Sequence, residues 1–166
     1  MNKLILYRIL TWATIIFSSV NQLAAQINST DQKNEPVTFK ADWISCPDAN
    51  PKEYGVYHLR KVFELPARPS QFIIHVSGDH RYRLFVNGKQ VCHGPARGDL
   101  RNWKYETLDI APFLNAGSNV LAAQLWNMGT GAPAAQISYQ TGFILQGEGE
   151  AQELINTNES WRIIRN

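Results

Sequence analysis

The sequence predicts an all-β fold, an antiparallel β-sandwich of the jelly-roll type. Beyond Ala25 the chain consists of short apolar–polar alternations, separated by Gly, Pro, Asn and Asp turn signals roughly every 8–12 residues. One signal, Asn87-Gly88, lies between two alternating runs and is a strong hairpin indicator, because a type I′ turn needs φ > 0 at both central residues. No segment after Ala25 has a sustained 3.6-residue apolar period of helix length.

The first residues are typical of a secretory signal peptide. Lys3 and Arg8 form a positive start, residues 9–20 are mostly apolar, and Ala24-Ala25 offers a cleavage site. A membrane anchor is the alternative, but about a dozen apolar residues are too few for a bilayer core, which takes ~20. We therefore expect a secreted or periplasmic protein, cleaved near Ala25. Residues 26–36 are polar and aperiodic, which predicts a disordered lead-in.

Removal of the signal peptide changes the charge balance of the chain. Two basic residues leave and no acidic residue does, so the 16 basic residues fall to 14, equal to the 14 acidic residues. A balanced charge without a Lys/Arg run gives no reason to expect a nucleic-acid partner. The remaining chain, about 140 residues, is long enough for one domain with its own core.

The chain has two cysteines, Cys46 and Cys92. In an oxidising compartment they could form a disulfide, but a single bridge is not a disulfide scaffold. Neither cysteine lies in a CxxC spacing of the zinc type. We favour two free, buried thiols and leave their pairing open.

The predicted strands follow the alternating runs, after a start near residues 37–44. They cover residues 56–65, 72–76, 81–86, 89–91, 103–110, 120–126, 134–146, 150–155 and 161–164. In the first of them Tyr57, Leu59, Phe63 and Leu65 are expected to face the core. The run at 120–126 lacks polar alternation, as in strands buried on both faces.

Two shorter features complete the predicted β-sandwich. A single helical turn is expected at residues 111–114, closed by Gly117. The last strand, which starts at Trp161, has no further segment to pair with it, and an open edge is a liability. We therefore expect the domain at residues 37–166 to be incomplete at its C-terminus.

The candidate ligand-binding residues lie between Arg97 and Tyr105. Sugars are held by an aromatic ring beneath their apolar face and by planar polar groups on their hydroxyls, as in other small-ligand sites. Trp103 and Tyr105 would share one face of a strand, and Arg97, Asp99 and Arg101 precede them in a loop. The competing interpretation is structural. Such aromatics are usually core residues, and an Arg/Asp pair usually fixes its own loop.

Several motifs occur in an order that resembles one known family. They are Trp43-Ile44, Arg60–Phe63, Tyr82–Lys89, Gly94–Asp99, Trp103–Ile110 and Asn119–Asn127. From about Ala41 to Asn166 the chain resembles the N-terminal β-sandwich of bacterial α-L-rhamnosidases, a galactose-binding-like jelly roll. In that family the catalytic carboxylates lie in a downstream α-helical barrel, so the resemblance implies no catalytic residue in this chain.

The residues themselves also predict no catalytic centre. Glycoside hydrolysis generally needs two carboxylates beside one bond, and the carboxylates here lie mostly at turns and strand ends, without a pairing pattern. No GxSxG, HExxH or P-loop motif is present. The four histidines are too scattered to predict a metal site. We predict no cofactor and leave a structural calcium open.

These observations predict a non-catalytic accessory domain of a secreted α-L-rhamnosidase-like glycoside hydrolase. Its expected partners are a downstream catalytic domain, which it would brace, and rhamnose-containing carbohydrate. Neither nucleic acid nor a membrane span is expected. Two alternatives remain, a stand-alone lectin-like module and a purely structural interdomain module.

Overall fold

Two antiparallel sheets pack face to face in the computed structural model, which describes residues 37–47, 49–50 and 52–166. The sandwich lies within the unit from Phe39 to Asn166. The signal peptide predicted at residues 1–25 and the lead-in at 26–36 lie outside the described residues. The strands are β1 (Gly55–Leu65), β2 (Ile73–Asp79), β3 (Arg81–Val86), β4 (Lys89–Gly94), β5 (Glu106–Asp109), β6 (Gly117–Asn127), β7 (Gly142–Gly147) and β8 (Arg162–Arg165).

The larger sheet has five strands in the order β4-β3-β6-β1-β8, and the smaller has three in the order β5-β2-β7. The longest pairing joins β1 to β6, from Gly55 opposite Asn127 to Leu65 opposite Gly117. The predicted all-β sandwich is therefore confirmed. Short 3-10 turns lie at Ala111–Phe113, Gly129–Gly131 and Glu153–Ile155, the first of which confirms the predicted helical turn.

The core lies between the sheets and is built by period-2 alternation. Tyr57, Leu59, Phe63 and Leu65 of β1 are buried, as predicted. The neighbouring strands β3 and β6 bury Tyr82, Leu84, Leu121 and Leu125, and the facing sheet buries Ile74, Val76, Phe143 and Leu145. Each fully buried aliphatic side chain stabilises the fold by about 1.5–3 kcal/mol relative to exposure. Burial of apolar area between two sheets thus holds the sandwich together.

The turn at Asn87-Gly88 is as predicted. Both residues have positive φ, 49° and 81°, and they join β3 to β4 in an antiparallel pair. Asn87 is also tied to the neighbouring strand, because its side-chain Oδ1 accepts the N–H of Val120 at 2.9 Å. A local sequence signal and a distant contact therefore fix the same turn.

Three predicted strands differ from those observed. The strand expected at 103–110 begins only at Glu106, and that expected at 134–146 only at Gly142. The segment before Gly142 instead donates backbone N–H groups to a side chain at the end of β2. The strand expected at 150–155 is a 3-10 turn, in which Ile155 and Asn156 donate to carbonyls three residues back.

One further expectation about strands was wrong. The run at 120–126 is buried on one face only, since Val120, Ala122, Gln124 and Trp126 are partly exposed. The last strand, β8, pairs with β1 on one side and forms an edge of the larger sheet. Trp161, just before it, is buried in the core.

Both cysteines are free thiols, as we favoured, but neither is as fully buried as expected. Cys46 and Cys92 are each half-buried against the core. Among the described residues, no helix combines the length and the apolar character needed to cross a membrane.

Candidate functional site

A cleft of about 220 Å³ opens at the end of the sandwich where β2 ends and β7 begins. Its walls carry three aromatic side chains, Trp43, Trp103 and Tyr139, and its remaining lining includes Asp79 and Thr141. Aromatic walls around a few polar groups are the usual composition of a small-ligand site.

Asp79 is the best-defined polar group of the cleft. It is 2% exposed, and its Oδ2 accepts the backbone N–H groups of Tyr139 at 2.6 Å and Gln140 at 2.9 Å. Its Oδ1 is buried and accepts no hydrogen bond from any described residue. A buried polar atom without a partner costs about 1–3 kcal/mol. Asp79 therefore keeps one unused acceptor at the end of β2.

The two tryptophans form an edge-to-face pair, with ring centroids 6.2 Å apart and planes at 86°. The indole Nε1 of Trp103 is buried and, like Asp79 Oδ1, has no hydrogen-bond partner within the described residues. Two residues that line the cleft, Asp79 and Trp103, thus each hold one buried polar atom without a hydrogen-bond partner among the described residues.

Local backbone structure determines where Trp43 lies. The next residue, Ile44, exchanges two backbone hydrogen bonds of 2.9 Å with Phe143. Trp43 itself is 49% exposed and covers Gly142, where an added Cβ would lie 3.0 Å from the indole Cε3. The absence of a side chain at Gly142 lets the ring lie close to the backbone of β7.

Asn127 and His80 support the cleft from behind. Asn127 donates to the hydroxyl of Thr141 at 2.8 Å and accepts the N–H of Gly129 at 2.7 Å. His80 Nδ1 accepts the N–H of Met128 at 2.9 Å, a role that requires an unprotonated nitrogen. Burial lowers the pKa of His80, the charge of Asp79 opposes that shift, and the charge of Arg81 adds to it.

The predicted loop residues have separate positions. Arg97 lies with Trp103 beside a narrow slot next to the cleft. Asp99 accepts the N–H groups of Arg101 and Asn102 at 2.8 and 2.9 Å. Hydrogen bonds from Asn102 and Arg101 lower the pKa of this exposed carboxyl. Asp99 therefore fixes its own loop, and Arg101 takes part through its backbone.

The structure does not bring Trp103 and Tyr105 together. Trp103 contacts Trp43, whereas Tyr105 lies edge-on to Phe39 and His75 at 5.5 and 5.7 Å. The two side chains contact different clusters because the strand begins after them, at Glu106, so the alternation rule does not apply. Of the five predicted residues, Trp103 alone lines the cleft.

Sequence reasoning missed Trp43, Asp79 and Tyr139 as site residues. Asp79 lies between the predicted strands at 72–76 and 81–86, and an acidic residue between two strands is usually solvated. Its partners Tyr139 and Gln140 lie 60 and 61 residues away. The described residues contain no group of three or more His, Cys, Asp or Glu side chains arranged to hold a metal ion.

The fold is an antiparallel β-sandwich that this chain shares with parts of several solved structures. The chain is similar to the GH78 family rhamnosidase of Bacillus sp. GL1, at 28% identity and a TM-score of 0.70 over 78% of this chain. It spans 14% of that rhamnosidase. No protein-family model and no curated protein matches the chain.

Two further solved structures share the fold. The α-L-rhamnosidase of Dictyoglumus thermophilum is 22% identical, with a TM-score of 0.56 over 75% of this chain and 16% of its own. The lectin of Pleurotus ostreatus, solved in complex with GalNAc, is 21% identical, with a TM-score of 0.54 over 76% of this chain and 35% of its own.

Proposed function

We propose that this chain is a carbohydrate-binding accessory module of a secreted or periplasmic α-L-rhamnosidase-like glycoside hydrolase. The observation that carries the proposal is the cleft with an unpaired carboxylate oxygen and an unpaired indole N–H beside aromatic rings. The likeness to the Bacillus rhamnosidase, of which this fold is a small part, supports a role beside a catalytic domain.

The geometry suits one sugar unit. The apolar face of a pyranose ring would rest on an indole ring, since an aromatic side chain combines apolar area with a defined orientation. One hydroxyl would donate to Asp79 Oδ1, and another oxygen would accept the N–H of Trp103. Each of these hydrogen bonds repairs a buried atom that the described residues leave unpaired.

The cleft binds but does not hydrolyse in this proposal. Asp79 is the one carboxylate among the described residues that line it, whereas most glycosidases place two carboxylates beside the scissile bond. Asp79 Oδ2 is also committed to two backbone N–H groups. Hydrolysis therefore belongs to another part of the proposed enzyme.

Titration calorimetry of Asp79→Asn tests the proposal. The amide keeps an oxygen for the Tyr139 and Gln140 N–H groups and replaces the unpaired acceptor Oδ1 with a donor. We expect rhamnose or a rhamnose-containing oligosaccharide to bind the wild type and to lose about 10- to 100-fold in affinity in the variant. Asp42→Asn, at an exposed carboxylate outside the cleft, is the matched control.

Three outcomes separate the alternatives. Equal affinity of Asp79→Asn and wild type would contradict the assignment of the cleft. Absence of wild-type binding to any neutral sugar would favour a purely structural interdomain module. A reading frame without a catalytic domain downstream of Asn166 would favour a stand-alone lectin-like module that uses the same cleft.

A further inference from the structure

The outer surface of the five-stranded sheet carries a set of side chains that the cleft does not use. Register places Arg83, Gln124, His58 and Ile164 side by side across four strands. The next row holds Phe85, Ala122, Arg60 and Arg162. We call these two rows the outer sheet face. None of these residues lines the cleft, so the two surfaces can be tested separately.

The outer sheet face contains a broad groove of about 470 Å³. Ala122 lies between Phe85 and Arg60 in the row, and its small side chain leaves a depression there. The floor is apolar, and Ile164 at one side is 64% exposed. An apolar floor bordered by polar side chains can hold the apolar face of a ligand.

The charge of the outer sheet face has one sign. Arg60, Arg83 and Arg162 take part in no ion pair, since the ion pairs within the described residues are Lys40–Glu153 and His75–Glu148. Arg83 lies 5.6 Å above the ring of Trp126, a cation–π contact that fixes its position on the sheet. Three unpaired guanidinium groups beside an apolar floor attract an anionic ligand with an apolar side.

The side chains of the outer sheet face favour one class of ligand over the alternatives. A second copy of this chain would bring its own arginines against these, which like-charge repulsion disfavours. A close-packed protein surface would bury Gln124, His58 and three guanidinium groups, at a cost unless each one is paired. A hydrated polysaccharide leaves these groups in contact with water, while the C–H faces of its rings cover the apolar floor.

We propose that the outer sheet face binds an acidic polysaccharide, one whose sugars carry carboxylates. Guanidinium groups form paired hydrogen bonds with carboxylates, and planar amide and imidazole groups reach the hydroxyls. This surface extends the proposed function without depending on it, because the cleft would hold a single neutral sugar and the outer sheet face a charged chain.

The test compares two polymers with the same backbone, polygalacturonate and its fully methyl-esterified form, by titration calorimetry and affinity electrophoresis. We expect the acid form to bind and the ester to bind at least about tenfold more weakly. Affinity for the acid form should fall as salt rises. The triple variant Arg60→Gln, Arg83→Gln, Arg162→Gln should bind polygalacturonate about tenfold or more weakly than the wild type.

A charge-matched control removes three exposed cations elsewhere, in the Lys52→Gln, Arg68→Gln, Arg101→Gln triple variant, and should bind as the wild type does. Thermal unfolding checks that each variant folds. Three results would overturn the proposal: no wild-type binding to polygalacturonate, equal binding of its ester, or equal losses in both triple variants. Tighter binding of single-stranded RNA than of polygalacturonate would overturn it as well.

One more variant separates this proposal from the preceding one. Asp79→Asn should weaken neutral-sugar binding and leave polygalacturonate binding unchanged. If Asp79→Asn abolishes polygalacturonate binding instead, the polymer occupies the cleft, and the outer sheet face is not its site.

Discussion

Two buried polar side chains differ in a way that distinguishes structure from function at the residue scale. Asn119, fully buried, accepts from Asn87 and from the Asn115 backbone and donates to two carbonyls, all at 2.9 Å. Asp79 is as deeply buried but leaves one oxygen without a partner among the described residues. The amide of Asn119 has all its hydrogen bonds within the fold, whereas the carboxylate of Asp79 keeps an unused acceptor, which is the feature that the proposed function uses.

Cys92 is the second residue with consequences at this scale. Burial raises the pKa of its thiol, and the nearby charge of Glu106 raises it further against the opposing hydrogen bond of Tyr82. Tyr82 donates to Glu106 at 2.5 Å. Burial is the larger cause and this hydrogen bond the second, and both raise the pKa of Tyr82 above its ordinary range.

Alkylation by iodoacetamide, followed by mass spectrometry, tests the environment of Cys92. Only the thiolate reacts, so the rate at Cys92 should rise with a midpoint above the thiol's usual pH of about 8.5. Glu106→Gln removes the negative charge and should move that midpoint downward, whereas Glu64→Gln, at the far end of β1, should not. A midpoint at or below the usual value in the wild type would contradict this account.

At the scale of elements, the β3–β4 hairpin depends on the conformation of its turn. Gly88 has a φ of 81°, and an added Cβ would meet no atom within 4 Å. The cost of a side chain there is therefore purely conformational. It amounts to about 1 kcal/mol, because L-residues disfavour the left-handed region.

Urea unfolding of Gly88→Ala tests this conformational cost. We expect the free energy of unfolding to fall by about 1 kcal/mol. Gly131→Ala is the control, because an added Cβ there also meets nothing and its φ is not in the left-handed region. It should change stability by no more than about 0.5 kcal/mol, or raise it slightly by restricting the unfolded chain. Equal losses in both variants would show that the turn conformation is not the cause.

At the scale of the whole molecule, the two proposed surfaces should act independently. No residue of the outer sheet face lines the cleft, and changes without shared partners usually add. We therefore expect a variant that combines Asp79→Asn with the Arg60, Arg83 and Arg162 changes to lose as much neutral-sugar affinity as Asp79→Asn alone. It should lose as much polygalacturonate affinity as the triple arginine variant alone, in both cases within about 0.5 kcal/mol. A larger coupling, measured by calorimetry for both ligands, would mean that one surface contributes to the other.

The fold was predictable to the extent that its signals are local. The alternation over 56–65 and the Asn87-Gly88 turn depend on neighbouring residues, and both are confirmed. The cleft was not predictable, because Asp79 contacts Tyr139 and Gln140 across some 60 residues of chain. The expected pairing of Trp103 with Tyr105 failed for another reason: their two-residue spacing does not show that the strand begins only after Tyr105. Trp103 was found for its residue type, and its partner Trp43 was not.

The glycine beneath Trp43 makes the depth of the cleft adjustable. Because an added Cβ at Gly142 would lie 3.0 Å from the indole, one methyl group there would lift the ring outward by a few tenths of an ångström, without altering any polar group of the cleft. A substitution at this single position would therefore change the depth of the cleft while its hydrogen-bonding groups stay the same.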